Sequence, residues 1–320
     1  MKRKFTPPNN LIVGILGNAE KSSTCETAFE LIKILDERKI GFRVQKTIGE
    51  QIKSRWGYDP SNSAIDDLHI PVEADIIVSL GGDGTILRAA RLVGAMNKPI
   101  LGVNLGKLGF LAELNFDELR NSIDQLLKGR FEIEERTVLK AVYNRGNVQE
   151  SLFALNDIVV DKAGSSRMID LETYVDSEYL ITYRADGIVV STPTGSTGYC
   201  LSTGGPIISP ASRVIAVSPI SPHTLSARPV IVPDTSVIRV VAHSNFKQVI
   251  IAADGEASES LPPPAEFTVS LAPYKVALLK RSKNGFFSIL RSKLMWGVDI
   301  RSSGSDNEQI HNFEAAEEDK

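Results

Sequence analysis

The sequence predicts an α/β domain followed by a β-rich one. Three observations carry that prediction: the first 130 residues alternate apolar runs with helical spacing, a glycine turn joins a buried run to a helix, and helical periodicity nearly vanishes after Arg130. Leu11–Leu16 has the continuous apolar texture of a strand covered on both faces. Ala28, Phe29, Leu31, Ile32 and Leu35 then recur at helical spacing, and Gly41 is placed to stop that helix. Asp75–Leu80 is a second buried strand, running into Gly81-Gly82-Asp83-Gly84-Thr85. A short helix over 86–93 leads to a third strand, Ile100–Val103, and Phe116–Lys128 forms another helix capped by Gly129. Such alternation implies a parallel sheet with helices on both faces, whose ligands bind beyond the carboxyl ends of the strands.

After Arg130 come short β-prone runs between Gly, Pro, Asn and Ser breakers: Phe131–Tyr143, Leu152–Asp161, Met168–Val175, Tyr179–Tyr183, Gly187–Thr192, Val237–Ala242, Val249–Ala253 and Phe267–Leu271. Phe286, Ile289, Leu290 and Leu294 predict a last helix that returns to the first domain or a neighbour. The polar, acid-rich tail is expected to be disordered. The expected boundaries are 1–135 for the α/β domain, 136–283 for the β-rich domain, 284–299 for the returning helix and 300–320 for the tail.

Composition excludes several functions. Lys plus Arg (36) nearly balance Asp plus Glu (39), a net charge of −3, which suits neither a nucleic-acid coat nor a polybasic membrane binder. Cys25 and Cys200 cannot build a disulfide framework or a four-cysteine zinc site, and they point to a reducing cytosol. The basic start is followed by Pro7-Pro8-Asn9-Asn10 and too short an apolar run for a secretion signal. The uncharged stretch Gly187–Ser212 is too rich in Ser, Thr, Gly and Pro for a lipid-exposed helix, and reads instead as a lining or a buried turn system.

Chemistry concentrates in a few places. Gly81-Gly-Asp-Gly-Thr85 sits between a buried strand and a helix, where glycines admit a phosphate and helix N–H groups attract it. Asp83 would face that ligand; the structural alternative is a tight turn with an aspartate cap. Gly102-Val-Asn-Leu-Gly-Lys-Leu-Gly-Phe110 would line the same crevice or simply close a strand. Asn156-Asp157 interrupts an apolar strand, as hydrogen-bonding partners for a ribose and base or as a bulge. Ser191–Pro206 is dense in hydroxyls, with Tyr199 able to stack on a base. No Walker motif occurs, the dehydrogenase glycine fingerprint is incomplete, Thr194-Gly-Ser-Thr-Gly198 is not a hydrolase elbow, and the histidines form no metal cluster.

Taken together, the motifs closely resemble the NAD kinase family. The resemblance rests on Gly81–Thr85, Asn104-Leu-Gly-x-Leu-Gly-Phe110-Leu, Leu155-Asn-Asp157, Asp186-Gly-x4-Thr192-Pro-Thr-Gly-Ser-Thr-Gly198, Leu201-Ser-x-Gly-Gly-Pro206 and Pro222-His-Thr-Leu-Ser-Ala-Arg-Pro229, and spans about residues 11 to 297. It implies a Rossmann-like parallel α/β domain, a β-sandwich-like second domain and an active site between them. By the same resemblance, the γ-phosphoryl group of ATP passes to the 2′-hydroxyl of the adenosine ribose of NAD. Asp83 is then the proton acceptor, flanked by Gly84 and Arg88, with Gly81, Gly82, Gly84 and Thr85 at the phosphates. Asn156 and Asp157 hold ribose and adenine; Arg167, Arg184 and Asp186 contact the rest of NAD; and Thr197, Gly198, Tyr199, Cys200, Leu201 and Ser202 wrap the adenine. Glu256 stands where some members carry glutamine, and its carboxylate cannot donate the bond an amide would. The implied cofactor is Mg²⁺ held mainly by nucleotide phosphates, with no metal site built from the protein. ATP or inorganic polyphosphate is the implied donor, and a cytoplasmic homodimer or homotetramer the implied assembly, with no nucleic-acid or membrane partner. Two other readings share parts of the pattern: a lipid kinase with the same glycine turn, and a non-catalytic NADP(H) sensor.

Overall fold

The computed structural model describes residues 2–106, 109–164, 166–281 and 285–296. The chain divides into two compact units, Met1–Lys283 and Asn284–Lys320. In the second unit the expected helix is present, Phe286–Leu294; the tail expected to be disordered lies outside the described residues.

Five parallel strands form one end of the larger sheet, in the order Ala64–Ile65, Gly41–Gln45, Ile12–Gly17, Ile76–Leu80, Ile100–Asn104. Ile76–Leu80 is buried at every position, Ser79 included, as its largely apolar run predicts for a strand covered on both faces. One face is covered by Ser22–Glu37 and Leu119–Leu127, which set Ala28, Leu31, Leu35, Leu119, Ile123 and Leu126 against Ile15, Val78 and Val103. The other is covered by Asp83–Val93, through Ile86, Leu87, Ala90 and Val93. In chain order these five strands run 3-2-1-4-5, so the winding reverses between Ile12–Gly17 and Ile76–Leu80. Loops leaving the carboxyl ends of those two strands flank the crevice where such sheets bind ligands. The turn Gly81–Thr85 starts there.

The second half is antiparallel. Strands Val230–Pro233, Val214–Ile220, Gly187–Ser191, Asp157–Asp161, Val249–Ala253 and Ala257–Leu261 make a six-stranded sheet. It packs on the antiparallel part of the larger sheet through a core that includes Leu139, Leu171, Val240 and Phe267 on one side and Ile158, Val160, Ile188 and Ile251 on the other. That is the expected sandwich. Val159 points to the outer face, onto Cys200, Ile208, Val189 and Ala216. The segment after Ser191 therefore covers the back of the six-stranded sheet, and strand 157–161 is apolar on both faces.

Two expected strands change. The pattern predicts one strand over Leu152–Asp161, whereas the structure holds two, Val148–Ala154 and Asp157–Asp161, broken at Leu155-Asn156. The Phe267–Leu271 run is part of a sixteen-residue strand, Ala265–Lys280, with a register shift between Leu271 and Lys275. This strand is antiparallel to Ile238–His243 and Glu132–Arg145 and parallel to Ile100–Asn104. It carries the hydrogen bonding of the β-rich half into the α/β half. Among the described residues no helix is long and apolar enough to cross a membrane.

Candidate active site

The glycine turn is built by its neighbours. Gly81 has φ +152°, and a Cβ there would overlap Thr85, so the turn needs glycine at this position. The Gly81 N–H donates to the Val103 carbonyl (2.9 Å), locking the turn to the next strand. Gly82 caps the helix, whose first residue is Asp83. The Asp83 carboxylate reaches across the crevice: the N–H of Phe110 donates to Oδ2 (2.8 Å) and that of Leu111 to Oδ1 (3.1 Å). A Cβ at Gly109 would collide with the same carboxylate. At Gly82 and Gly84, by contrast, an added Cβ would meet nothing within 4 Å. Chain packing does not require glycine at these two positions.

Asn156 lies in the break between two strands, Asp157 opens the second of them, and Asp254 gathers the backbone at that break. Its carboxylate accepts from the N–H groups of Leu155 (2.9 Å), Asn156 (2.7 Å) and Asp157 (3.2 Å). The Thr192–Gly195 loop packs on the same place. Thr192 N–H donates to the Asn156 carbonyl (2.9 Å), Thr192 Oγ1 to the Leu155 carbonyl (2.7 Å), and a Cβ at Gly195 would overlap the Asn156 carbonyl. Asn156 Oδ1 is buried and has no protein hydrogen-bond partner.

The Asp157 carboxyl is pushed up to about 7 by burial and then by the neighbouring Asp254 carboxylate, with only the Tyr199 N–H opposing. Burial also raises Asp254, against three backbone N–H groups and Arg91. With one stabilising N–H against three, Asp157 is the member of the pair that holds a proton near neutrality.

The hydroxyl-rich stretch is largely a turn system rather than a lining. Ser191, Thr192 and Ser196 are fully buried, and Ser196 Oγ donates to the Pro193 carbonyl (2.7 Å) and accepts from the Ile208 N–H (2.9 Å). Thr197 Oγ1 donates to the Thr194 carbonyl and Ser202 Oγ to the Tyr199 carbonyl. Cys200 is fully buried, with its thiol pushed up to about 11 by burial and the Asp157 charge. A sulfur so placed is neither nucleophile nor side-chain ligand. Tyr199 is 43% exposed. Thr197, Gly198, Tyr199, Leu201 and Ser202 are half-buried or exposed; of these Gly198 and the Tyr199 N–H adjoin Asn156 and Asp157, and a Cβ at Gly198 would lie 3.4 Å from Asn156 Nδ2 and 3.7 Å from Asp157 Oδ2.

The other expected ligand residues are dispersed. Arg88 pairs with Asp67 and donates to the Gly17 carbonyl (3.4 Å). Asp186 pairs with Lys162 (2.6 Å) at the Asp161 end of strand 157–161, about 13 Å along the strand from Asp157. Arg184 is exposed near Asp170, and Arg167 is exposed in the preceding turn. Glu256 pairs with Arg91 of the Asp83 helix (3.0 Å), tying the Asp254 turn to that helix. Among the described residues no three His, Cys, Asp or Glu side chains converge as metal ligands.

A buried charge cluster, absent from the sequence expectations, joins the two halves of the site. Lys280 Nζ donates to the Leu111 carbonyl (3.0 Å) and pairs with Glu113 (3.2 Å), while Arg136 pairs with Glu134 (2.6 Å) and donates to Thr194 Oγ1 (3.3 Å). The signal in the sequence is a cation directly after the apolar run Val276-Ala-Leu-Leu279 at Lys280; Arg136 stands in a charged stretch, Glu132 to Arg136, that gives no such signal.

Two family models match this chain: the ATP-NAD kinase N-terminal domain over residues 13–131 and the C-terminal domain over residues 155–281. The chain is 41% identical over 285 residues to the NAD kinase of Moorella thermoacetica, covering 89% of each sequence. It is 38% identical over 289 residues to the NAD kinase of Bacteroides fragilis, covering 90% of this chain and 98% of the relative. The crystal structure of a yeast NADH kinase complexed with NADH superposes with TM-score 0.84 at 28% identity, over 94% of this chain and 95% of that one. A structure from Archaeoglobus fulgidus, an NAD kinase in complex with ATP, shares the fold at TM-score 0.70 and 24% identity, over 89% and 99%.

The Asp157–Asp254 pair predicts a pH dependence. A carboxyl raised from 3.8 to about 7 binds its proton more tightly in the folded chain. Its contribution to stability is full below about pH 4 and is lost as pH rises through 7. Asp157→Asn does not titrate, so the melting temperature of the variant minus that of the wild type should climb between pH 5 and 8. At about 1.4 kcal/mol per tenfold change in proton affinity, the gain is at most on the order of 4 kcal/mol. Thermal melts across that range check it, and a pH-independent difference would contradict it.

Proposed function

We propose, on the premise that this chain belongs to the ATP-NAD kinase family, that Asp83 is the proton acceptor in phosphoryl transfer from ATP to NAD. The chain is an NAD kinase, and the placement of its residues supports the roles assigned to them below. The carrying observation is the Asp83 carboxylate, set at a helix N-terminus at the reversal of the strand order and aimed by the N–H groups of Phe110 and Leu111.

The ATP phosphates approach the turn between Gly81, whose N–H is given to Val103, and Thr85, whose N–H is given to Gly82 (3.0 Å); the first N–H groups of the helix that lie between them attract anions. The bare Cα positions at Gly82 and Gly84 leave that approach open. A new bond forms between the 2′-oxygen of the adenosine ribose and the γ-phosphorus. The bond from that phosphorus to the bridging oxygen breaks, ADP departs, and the hydroxyl proton passes to Asp83. An ordinary carboxylate is a weak base for an alcohol, so the proton moves late, and such assistance is worth on the order of 10²–10⁴ in rate. Positioning and charge neutralisation carry the remainder. Mg²⁺, a hard cation preferring oxygen ligands, suits the triphosphate and supplies charge neutralisation there.

The adenosine end fits the break at Asn156-Asp157. Asn156 Oδ1 is free to accept, the Asp157 carboxyl next in the chain is buried, and Tyr199, whose N–H donates to Asp157, carries an exposed ring on which a base could stack. Arg88, Arg184 and Asp186 have protein partners, so contacts with NAD would exchange existing ion pairs for new ones. Inorganic polyphosphate carries the same phosphoanhydride chain as ATP and competes for the same turn.

Incubation of the purified protein with NAD, ATP and Mg²⁺ should yield NADP and ADP. Turnover of diacylglycerol or a sphingoid base with none of NAD would overturn the reading; tight NADP binding without turnover would mean a sensor. Asp83→Asn should lower kcat by at least about a hundredfold while NAD affinity stays within a few fold. A kcat near wild type would remove Asp83 as the acceptor. Gly84→Ala separates fold from function at the turn. Alanine favours a helix over glycine by up to about 1 kcal/mol, so melting temperature should hold or rise while KM for ATP increases. Unchanged kinetics would place the phosphates elsewhere.

A further inference from the structure

Lys280 ends the long strand Ala265–Lys280 inside the protein, with 6% of its surface exposed. Its ammonium donates to the Leu111 carbonyl (3.0 Å) and pairs with the fully enclosed Glu113 (3.2 Å). One peptide earlier, the Leu111 N–H donates to Asp83 (3.1 Å), and before it the Phe110 N–H does the same (2.8 Å). Lys280 and Asp83 therefore hold successive peptides of one short segment. The far end of that segment is also fixed: the Arg281 N–H donates to Glu113 Oε1 (2.9 Å), and its guanidinium reaches the Glu113 carbonyl (3.3 Å) and both oxygens of Glu118 (2.9 and 3.0 Å).

A buried ion pair is poor value as a stabiliser, because desolvation offsets most of the attraction and an apolar side chain of similar volume often serves as well. Lys280 follows Val276-Ala-Leu-Leu279, all buried, where methionine would continue the apolar strand. What methionine cannot do is donate to the Leu111 carbonyl.

We propose that Lys280 is a positioning residue for Asp83: it pins the Leu111 carbonyl, so that the N–H groups of Phe110 and Leu111 keep the Asp83 carboxylate turned towards the attacking hydroxyl. The proposal rests on the reading of Asp83 as proton acceptor. Lys280 touches neither substrate nor the reacting atoms. Its effect passes through one backbone segment, and a small misplacement of a reacting group can cost up to about a hundredfold in rate.

The test is a double-mutant cycle on the full chain with NAD, ATP and Mg²⁺. Lys280→Met should lower kcat by at least about tenfold with KM for NAD within about threefold. Because that change leaves Glu113 without its buried partner, Lys280→Met/Glu113→Gln removes both charges and keeps the test informative if the single variant folds poorly. Each is then combined with Asp83→Asn. If Lys280 acts through Asp83, its loss should cost no more than about twofold once the carboxylate is gone. Losses that multiply in the Asp83→Asn background, or a Lys280→Met kcat within about twofold of wild type, would overturn the proposal. Asp83→Asn at wild-type kcat would instead remove the reading of Asp83, and the proposal with it. Low activity of Asp83→Asn with multiplying losses would leave Asp83 standing and remove Lys280 alone.

Discussion

Two backbone N–H groups, from Phe110 and Leu111, fix the Asp83 carboxylate, and the candidate site is arranged around that contact. An aspartate in the first turn of a helix has a ready alternative, the unpaired N–H groups of its own helix. Facing donors on another loop draw the carboxylate across the crevice instead. The contact requires Gly109 to lack a side chain and the 109–113 segment to be held from behind. Lys280 and Arg281 supply that backing from the end of one strand.

That strand, Ala265–Lys280, joins the two halves of the molecule. Its first part belongs to the β-rich half and its last residues pair with Ile100–Asn104 of the parallel sheet. A second tie runs through the Asp254 turn, where Asp254 gathers the backbone of the Asn156 break and Glu256 reaches Arg91 on the Asp83 helix. The ribose and base contacts proposed for Asn156 and Asp157 are thereby referenced to the helix that begins at Asp83. The Glu256–Arg91 pair is partly exposed, so its worth is at most about 1 kcal/mol and its effect is alignment.

Much of the fold was legible because burial on both faces writes a plain signal. Leu11–Leu16 and Ile100–Val103 are unbroken apolar runs and Asp75–Leu80 is largely apolar, and each holds a parallel strand. Asp83 was legible because glycines on both sides of it, between a buried strand and a helix, leave few structural uses for a carboxylate. The long strand was visible only over Phe267–Leu271, since Ala272-Pro273-Tyr274 breaks the pattern where the register shifts. Val214–Ile220 was hidden by Ser218 and Pro219, and helix Lys46–Trp56 by Gly49 and a mostly polar composition. Hydroxyls between 191 and 203 suggested a ligand lining, yet most bond to their own backbone, a use that composition does not distinguish from binding. Lys280 is not legible because a cation at the end of an apolar run is usually a solvated end, and Arg136 because it stands among Glu132, Glu134 and Glu135; only the three-dimensional contacts with Leu111 and Thr194 single them out.

The direction in which Asp83 is held, beyond its mere presence, is what these contacts are built to secure. Gly109→Ala tests this most directly, since the added methyl group would occupy the place of the Asp83 carboxylate without removing any titratable group. With saturating NAD and ATP, kcat should fall by at least about tenfold while the dissociation constant for NAD stays within a few fold. A Gly109→Ala enzyme turning over at the wild-type rate would contradict it.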